Sequence, residues 1–309
     1  MKNILSLFDG ISGAQIALER AGIKYDNYYA SETDKYAMKI TQKHYPKTIQ
    51  LGNVEFVNGS ELPDIWLLIG GSPCTSLSCA AGQKESGLTQ GQSTLFWEYV
   101  RILNEVKPKY FLLENVASMK KADRETITKV MGVEPILINS SLLSAQQRKR
   151  LYWTNIEGIE QPEDKHIYLK DVLEDNANST YSIYNKKLSI DKSTTVGANT
   201  GIINCKSSQV AFTKPVRLGQ IGKGGQGDRV YSIDGKSICL SANGGGQGAK
   251  TGLYEIKSYI RKLTPLECEK LQTLPPEYTA GISNTQRYKA IGNGFTVDVV
   301  AHILKYIKE

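Results

Sequence analysis

The alternation of short apolar runs with helical spacing restricts what this chain can fold into. Asn3 to Phe8 has strand length and ends in Asp9-Gly10. After Ser12, which stands as the expected helix cap, the residues Ala14, Ile16, Ala17, Leu18 and Ala21 follow helical spacing until Gly22. The pattern recurs with Tyr25 to Ser31 as a strand, Asp34 to His44 as a helix and Asp64 to Ile69 as a fully buried strand before Gly70-Gly71. Leu95 to Val106 then reads as an amphipathic helix stopped by Pro108, with strands at Tyr110 to Leu113 and Ile136 to Asn139. Strands and helices alternating at these lengths imply βαβ units, and so an α/β fold with a parallel, doubly wound, Rossmann-like sheet.

The texture changes near Asn176. Gly, Ser, Thr and Asn dominate through Gly252, with Gly-Lys-Gly-Gly-Gln-Gly at 222–227 and Gly-Gly-Gly-Gln-Gly at 244–248. The flanks of these clusters differ, so they read as two loops of one smaller, loop-rich and strand-poor module, not as a repeat. Thr264-Pro265-Leu266-Glu267 is a capped helix start, and Phe295 to Ile307 is expected to end the chain as a helix packed back on the first domain.

Composition narrows the class. The 309 residues suffice for two domains or one with an insertion, and a mean hydropathy of −0.33 fits neither a membrane bundle nor a disordered chain. No apolar run is long enough to span a bilayer, and no cleavable signal follows Met1, so the expectation is a cytoplasmic protein without a membrane partner. A net charge of +7 suits a polyanion without requiring one. Five cysteines in such a chain point to reduced thiols, and Cys74 and Cys79 have no second pair at zinc spacing, so no metal is expected.

Ligands of a doubly wound sheet bind beyond the carboxyl ends of its strands, which directs attention to the residues there. Gly10 and Gly13 allow close backbone approach, or merely a tight turn; the spacing for a dinucleotide pyrophosphate and the phosphate-loop motif are both absent. Glu32 could accept from a ribose diol, or be an exposed loop acid. Cys74 follows Gly70-Gly71-Ser72-Pro73 and is either a small buried hydrophobe or a nucleophile presented on a rigid turn. Glu114, desolvated by Leu112, Leu113 and Val116, suits a proton donor, and Arg148 and Arg150 bring guanidinium groups to the same edge. Thiol, acid and arginine together would form a nucleophilic site for a polar, planar substrate.

The strings FDGISG, GGSPC, ENV, QQRKRLYW, RKLTPLE and IGNGFTVDVV, in this order and at these intervals, resemble the DNA cytosine-5 methyltransferase family across nearly the whole chain. The first half is similar to the animal de novo enzymes of that family. GKGGQGDRVYS, CLSANGGGQGAKTG and the C-terminal end are similar to the bacterial GCGC-type enzyme.

The resemblance implies S-adenosylmethionine as cofactor, with S-adenosylhomocysteine as product. Phe8 would stack on its adenine, Asp9, Gly10, Gly13 and Pro73 would line its pocket, Glu32 would hold its ribose, and Asn53 and Asn293 would complete the set. Cys74 would attack carbon 6 of a flipped-out cytosine, Glu114 would bind or protonate ring nitrogen 3, and Arg150 would bond the 2-oxo group. Arg148 and Ser78 would contact phosphate or support the thiolate. Gln226 would fill the gap left by the flipped base, Arg229 would read a guanine edge, and Leu240 would lie against double-stranded DNA.

Thr33, Asn53, Thr75, Cys239 and Asn243 depart from the family's commonest residues, and the flanking bases of the target stay open. The implied organisation is a catalytic domain over 1–175, completed by 287–309, a target recognition domain over 176–260 and a hinge over 261–286. A monomer is expected, of restriction-modification, orphan or phage-borne origin, with a cognate restriction endonuclease as a conceivable partner. An RNA cytosine methyltransferase or a DNA binder without transfer activity are the other readings. An amino-methylating enzyme is set aside because Pro275-Pro276 precedes Glu277 and lies far from a strand end.

Overall fold

The computed structural model describes residues 1–73, 94–175, 189–190, 202–203, 211–221, 226–242, 248, 250–256 and 259–308. Cys74, Ser78 and the side chain of Gln226 lie outside the described residues. The chain forms two compact units, one comprising Met1–Ile138, Lys149–Gln161 and Val299–Glu309, the other Asn139–Arg148 and Pro162–Asp298.

The first unit is built on strands β1 (Asn3–Leu7), β2 (Asn27–Ser31), β3 (Ile49–Gln50), β4 (Ile65–Gly71), β5 (Tyr110–Val116), β6 (Ile136–Asn139) and β7 (Lys149–Thr154). They lie in the order β3-β2-β1-β4-β5-β7-β6. The β1–β2, β2–β3, β1–β4 and β4–β5 pairs are parallel, whereas β5 and β7 run antiparallel. The sheet is therefore mixed, not wholly parallel as the alternation implied. Strand order reverses between β1 and β4, the switch point at which such sheets open a crevice. The two strands approach closely there: a β-carbon on Gly70 would stand 2.8 Å from the Leu7 carbonyl oxygen.

Helices α1 (Gly13–Ala21), α2 (Lys35–His44), α3 (Leu95–Val106) and α4 (Lys121–Met131) accompany the sheet. Asp34 caps α2 by accepting from the amides of Tyr36 and Ala37. Ser12 does not cap α1; it is left-handed at φ 55° and its hydroxyl is turned to Asp9 instead. The buried face of α3, Phe96, Tyr99 and Ile102, packs with Leu5, Leu68, Leu113 and Trp153 into the main core. Burying such side chains is worth about 1.5–3 kcal/mol each, which fixes the strand ends in place.

The second unit carries helices α5 (Pro265–Leu271) and α6 (Asn284–Asn293), and a five-stranded sheet. Its strands are β8 (Ser189–Ile190), β11 (Arg217–Gln220), β12 (Arg229–Ser232), β13 (Leu253–Ile256) and β14 (Tyr259–Lys262). Two further short strands, β9 (Ile202–Ile203) and β10 (Ala211–Phe212), pair with each other. The glycine-rich stretch is thus richer in strands than its composition suggested, because strands of two to four residues leave little periodicity. Thr264 and Glu267 form the expected capping box of α5, with Pro265 at its first position. Helix α7 (Val297–Leu304) ends the chain, and Val299–Glu309 group with the first unit.

Candidate active site

The turn after β1 is held open by backbone that most residues avoid. Phe8, Gly10 and Ser12 all have positive φ, at 57°, 60° and 55°. Such conformations cost roughly 1–3 kcal/mol at non-glycine residues and persist only where the surroundings impose them. Here the Asp9 amide donates to Ser31 O at 3.1 Å and the Ser12 amide to Asp9 O at 3.1 Å. A β-carbon on Gly10 would touch nothing within 4 Å, so the backbone there faces open space.

Asp9 looks inward. Its side chain is 5% exposed and accepts from the Tyr28 hydroxyl at 2.6 Å and from the Ser12 hydroxyl. Burial pushes its carboxyl up to about 6, partly opposed by the hydroxyl bonds. The expected pocket-lining role is therefore corrected: Asp9 braces the turn from below, since its carboxyl is spent on buried hydroxyls.

Glu32, at the end of β2, receives the Gly10 amide at Oε2 (2.8 Å) and the Thr33 and Asp34 amides at Oε1 (2.7 and 2.8 Å). Three of its roughly four acceptor positions are used, so about one is left for a ligand hydroxyl rather than two. Asn53 caps a short turn by accepting from the Glu55 amide at 3.2 Å, and donates to the Glu55 carboxylate at 2.8 Å. Gly13 is buried at the start of α1, whereas Phe8 is partly buried and packs against the main core.

Register brings the acid and one arginine together. Gly71 of β4 pairs with Glu114 of β5, and on the other side Tyr152 of β7 faces Glu114 while Arg150 faces Val116. Arg150 and Glu114 are diagonal neighbours on one face, and Arg150 Nε meets Glu114 Oε1 at 2.8 Å. Their side chains are 12% and 13% exposed, so the pair is largely withdrawn from water. Asn115, 1% exposed, donates to Ser72 Oγ at 3.0 Å and to Ser72 O at 3.4 Å. This tie fixes the stretch that leads through the half-buried Pro73 toward Cys74. Sequence reasoning assigned Asn115 no role, although its place directly after Glu114 was the available signal.

Arg148 does not join that pair. It belongs to the second unit, is 4% exposed, and donates to the carbonyls of Leu240 (3.3 Å), Gly292 (3.3 Å) and Gly294 (3.1 Å). Its Nη1 also lies 3.5 Å from Cys239 Sγ. An arginine so buried and so engaged clamps these carbonyls, and neither a phosphate contact nor support of the thiolate is among its described bonds. Leu240 is likewise 4% exposed, so its side chain is packed inside while Cys239 beside it is exposed. Arg229 opens β12 opposite Gln220 and is half-buried; Asn293 ends α6 and is exposed. Among the described residues no group of three or more His, Cys, Asp or Glu could hold a metal, and no helix is long and apolar enough to cross a membrane.

The profile of one protein family, described as C-5 cytosine-specific DNA methylase, matches residues 2–309. The chain belongs to that family. The type II methyltransferase M.HhaI of Haemophilus parahaemolyticus is 32% identical over 97% of this methylase and 92% of its own length. The orphan methyltransferase M.SPRI of Bacillus phage SPR is 27% identical over 98% and 96%. Among solved structures, an Entamoeba histolytica methyltransferase, EhMeth, superposes with a TM-score of 0.73 at 17% identity, covering 99% of this chain and 97% of that one. The S. pombe Dnmt2 methyltransferase superposes at 0.64 and 18%, over 98% and 96%.

The protein is thus a DNA cytosine-5 methyltransferase with a Rossmann-like catalytic fold, and membership implies S-adenosylmethionine as methyl donor. The open backbone at Gly10 and the Glu32 carboxylate fixed beside it fit such a group.

Proposed function

We propose that the carboxyl ends of β1, β2, β4, β5 and β7 form the catalytic centre, and that Cys74 is its nucleophile. The observation that carries this reading is the Glu114–Arg150 pair beside Gly71, three residues before the thiol. Three residues of chain span at most about 10–11 Å, which keeps Cys74 within reach of a base held by that pair.

Cys74 as thiolate donates its electron pair to carbon 6 of the cytosine, and the ring electrons move toward carbon 5 and nitrogen 3. Glu114 in its acid form donates its O–H to nitrogen 3 as charge arrives there, and Arg150 orients Glu114 and bonds the 2-oxo group. S-adenosylmethionine supplies the methyl group that carbon 5 accepts. Loss of the carbon 5 proton to water and cleavage of the carbon–sulfur bond then return the thiolate. Phe8, Gly10, Gly13, Glu32, Asn53, Pro73 and Asn293 are assigned to the cofactor, with Asp9 supporting the turn.

Carbon 6 is hidden in a stacked duplex, so the base is flipped out, with Gln226 taking its place and Arg229 reading a guanine edge. Ser78 contacts the DNA backbone. The recognition segment is of the GCGC type, with a short target containing G and C. The enzyme works as a metal-free monomer in the cytoplasm of a bacterium or phage host, beside a restriction endonuclease or as an orphan. Residues 1–175 with 287–309, 176–260 and 261–286 act as catalytic domain, recognition domain and hinge.

Bisulfite sequencing of DNA from a methylation-deficient bacterium expressing the protein tests this reading, with Cys74→Ala beside it. Protected cytosines in one short motif, absent in the variant, are expected. Methylation that survives Cys74→Ala overturns the mechanism.

A further inference from the structure

Residues 237–240 form no regular strand, yet they are laced side by side to residues 145–148. The Ser237 amide donates to Ala145 O at 2.7 Å and the Gln147 amide to Ser237 O at 3.0 Å. Both main-chain polar groups of Leu240 are then taken by side chains. Gln146 Oε1 accepts its amide at 2.9 Å, and Arg148 Nη1 donates to its carbonyl at 3.3 Å.

The lacing continues inward. Gln146 Nε2 donates to Leu271 O and to Gln272 Oε1, each at 3.3 Å, and Gln272 Nε2 donates to Ile291 O at 2.9 Å and Gly294 O at 3.1 Å. Gln146 and Gln272 are both fully buried. A β-carbon on Gly292 would stand 2.6 Å from Ala242 N, so the C-terminal end of α6 is packed directly on the segment that follows Leu240.

Burying an amide is costly for each group left unpaired, whereas an apolar side chain would fill the same space at no such cost. Two buried amides whose bonds hold main-chain groups of separate segments instead set the position of an irregular stretch. The exposed residue of that stretch is Cys239.

We propose that Gln146 is a positioning residue for target recognition: it fixes the main chain at Leu240, and so the direction in which Cys239 is displayed, without touching a base. The inference rests on the reading of this module as the DNA-recognising part. It predicts that site selectivity depends on a side chain buried behind the reading surface.

Gln146→Met and Gln146→Glu are compared with the wild type by early-time bisulfite sequencing of one plasmid. Selectivity is the methylation at the consensus divided by that at its single-base variants. Both values come from the same sample, so a partly folded preparation does not change the ratio. Methionine keeps the volume and removes every bond, and the ratio should fall about ten-fold. Glutamate, held neutral by burial, keeps the acceptor for the Leu240 amide and one O–H donor toward Leu271 O or Gln272 Oε1, and should restore it to within about three-fold of wild type. KM for S-adenosylmethionine should stay within about two-fold in both. Rates that fall equally at all sites, or a KM for S-adenosylmethionine that rises while the ratio holds, overturn the positioning role. A wild type that protects no cytosine instead overturns the reading of the module itself.

Discussion

Arg150 Nε and Glu114 Oε1 stand 2.8 Å apart across two antiparallel strands, each side chain about seven-eighths buried. Removing one partner leaves the other charge largely desolvated. Glu114→Gln should lower single-turnover methylation by about 10²–10³. It should also lower the unfolding midpoint, because the arginine loses its counter-charge. Comparing the rate with thermal unfolding separates the two effects, and a rate within five-fold of wild type would remove Glu114 from the chemistry.

Asp9 supplies a pH dependence with a definite sign. Its folded carboxyl titrates near 6, above the ordinary value near 3.8, because burial disfavours the ionised form. The folded state therefore binds that proton more tightly. The associated stability is complete below about pH 4 and is lost as pH rises through about 6, amounting to about 3 kcal/mol for a shift of about two pH units. Urea unfolding of wild type and Asp9→Asn from pH 4.5 to 7.5 should show wild type losing stability relative to the variant over that window. Parallel curves would show that Asp9 does not titrate there.

Gly292→Ala reverses the ordinary helix rule. Alanine in a helix is favoured over glycine by about 1 kcal/mol, and Gly292 lies within α6. A β-carbon there would, however, meet Ala242 N at 2.6 Å and Ser241 C at 2.7 Å, both backbone atoms. The variant should be destabilised by about 1–3 kcal/mol in denaturant unfolding. A more stable variant would mean that the two segments move apart freely.

Arg261 and Glu267 form a fully buried pair joined at 2.8 and 2.7 Å, and Glu267 also accepts the amides of Thr264 and Glu174. Glu267→Gln should cost about 3–5 kcal/mol, since it strands a buried guanidinium. A double-mutant cycle with Arg261→Met should give a coupling above about 1 kcal/mol. Additive losses would assign the cost to the helix cap alone.

Local periodicity is enough to read β1, α2, β4 and α3, and the capping signature the start of α5, because each pattern reports contacts within a few residues. It misses β7: Arg148 and Arg150 stand out only as guanidinium groups at the edge, yet Lys149–Thr154 is a strand antiparallel to β5. It also passed over α4, whose apolar positions Ile127 and Met131 are sparse among charges. The ordered motifs identified the candidate groups, since each lies at a strand end where chain order alone is informative.

Sequence by itself determined the alternating strands and helices, the family, and the presence of a thiol, an acid and two arginines in motif order. Only the tertiary structure decided what each group faces. Arg148 and Arg150 are two residues apart in one motif, yet one clamps the carbonyls of Leu240, Gly292 and Gly294 while the other pairs with Glu114. Asp9 sits in a motif as if to line a pocket, and instead turns inward to Tyr28 and Ser12. The reason is physical: side-chain direction in a turn follows from φ, ψ and from partners distant in the chain, and neither is encoded in spacing along the sequence.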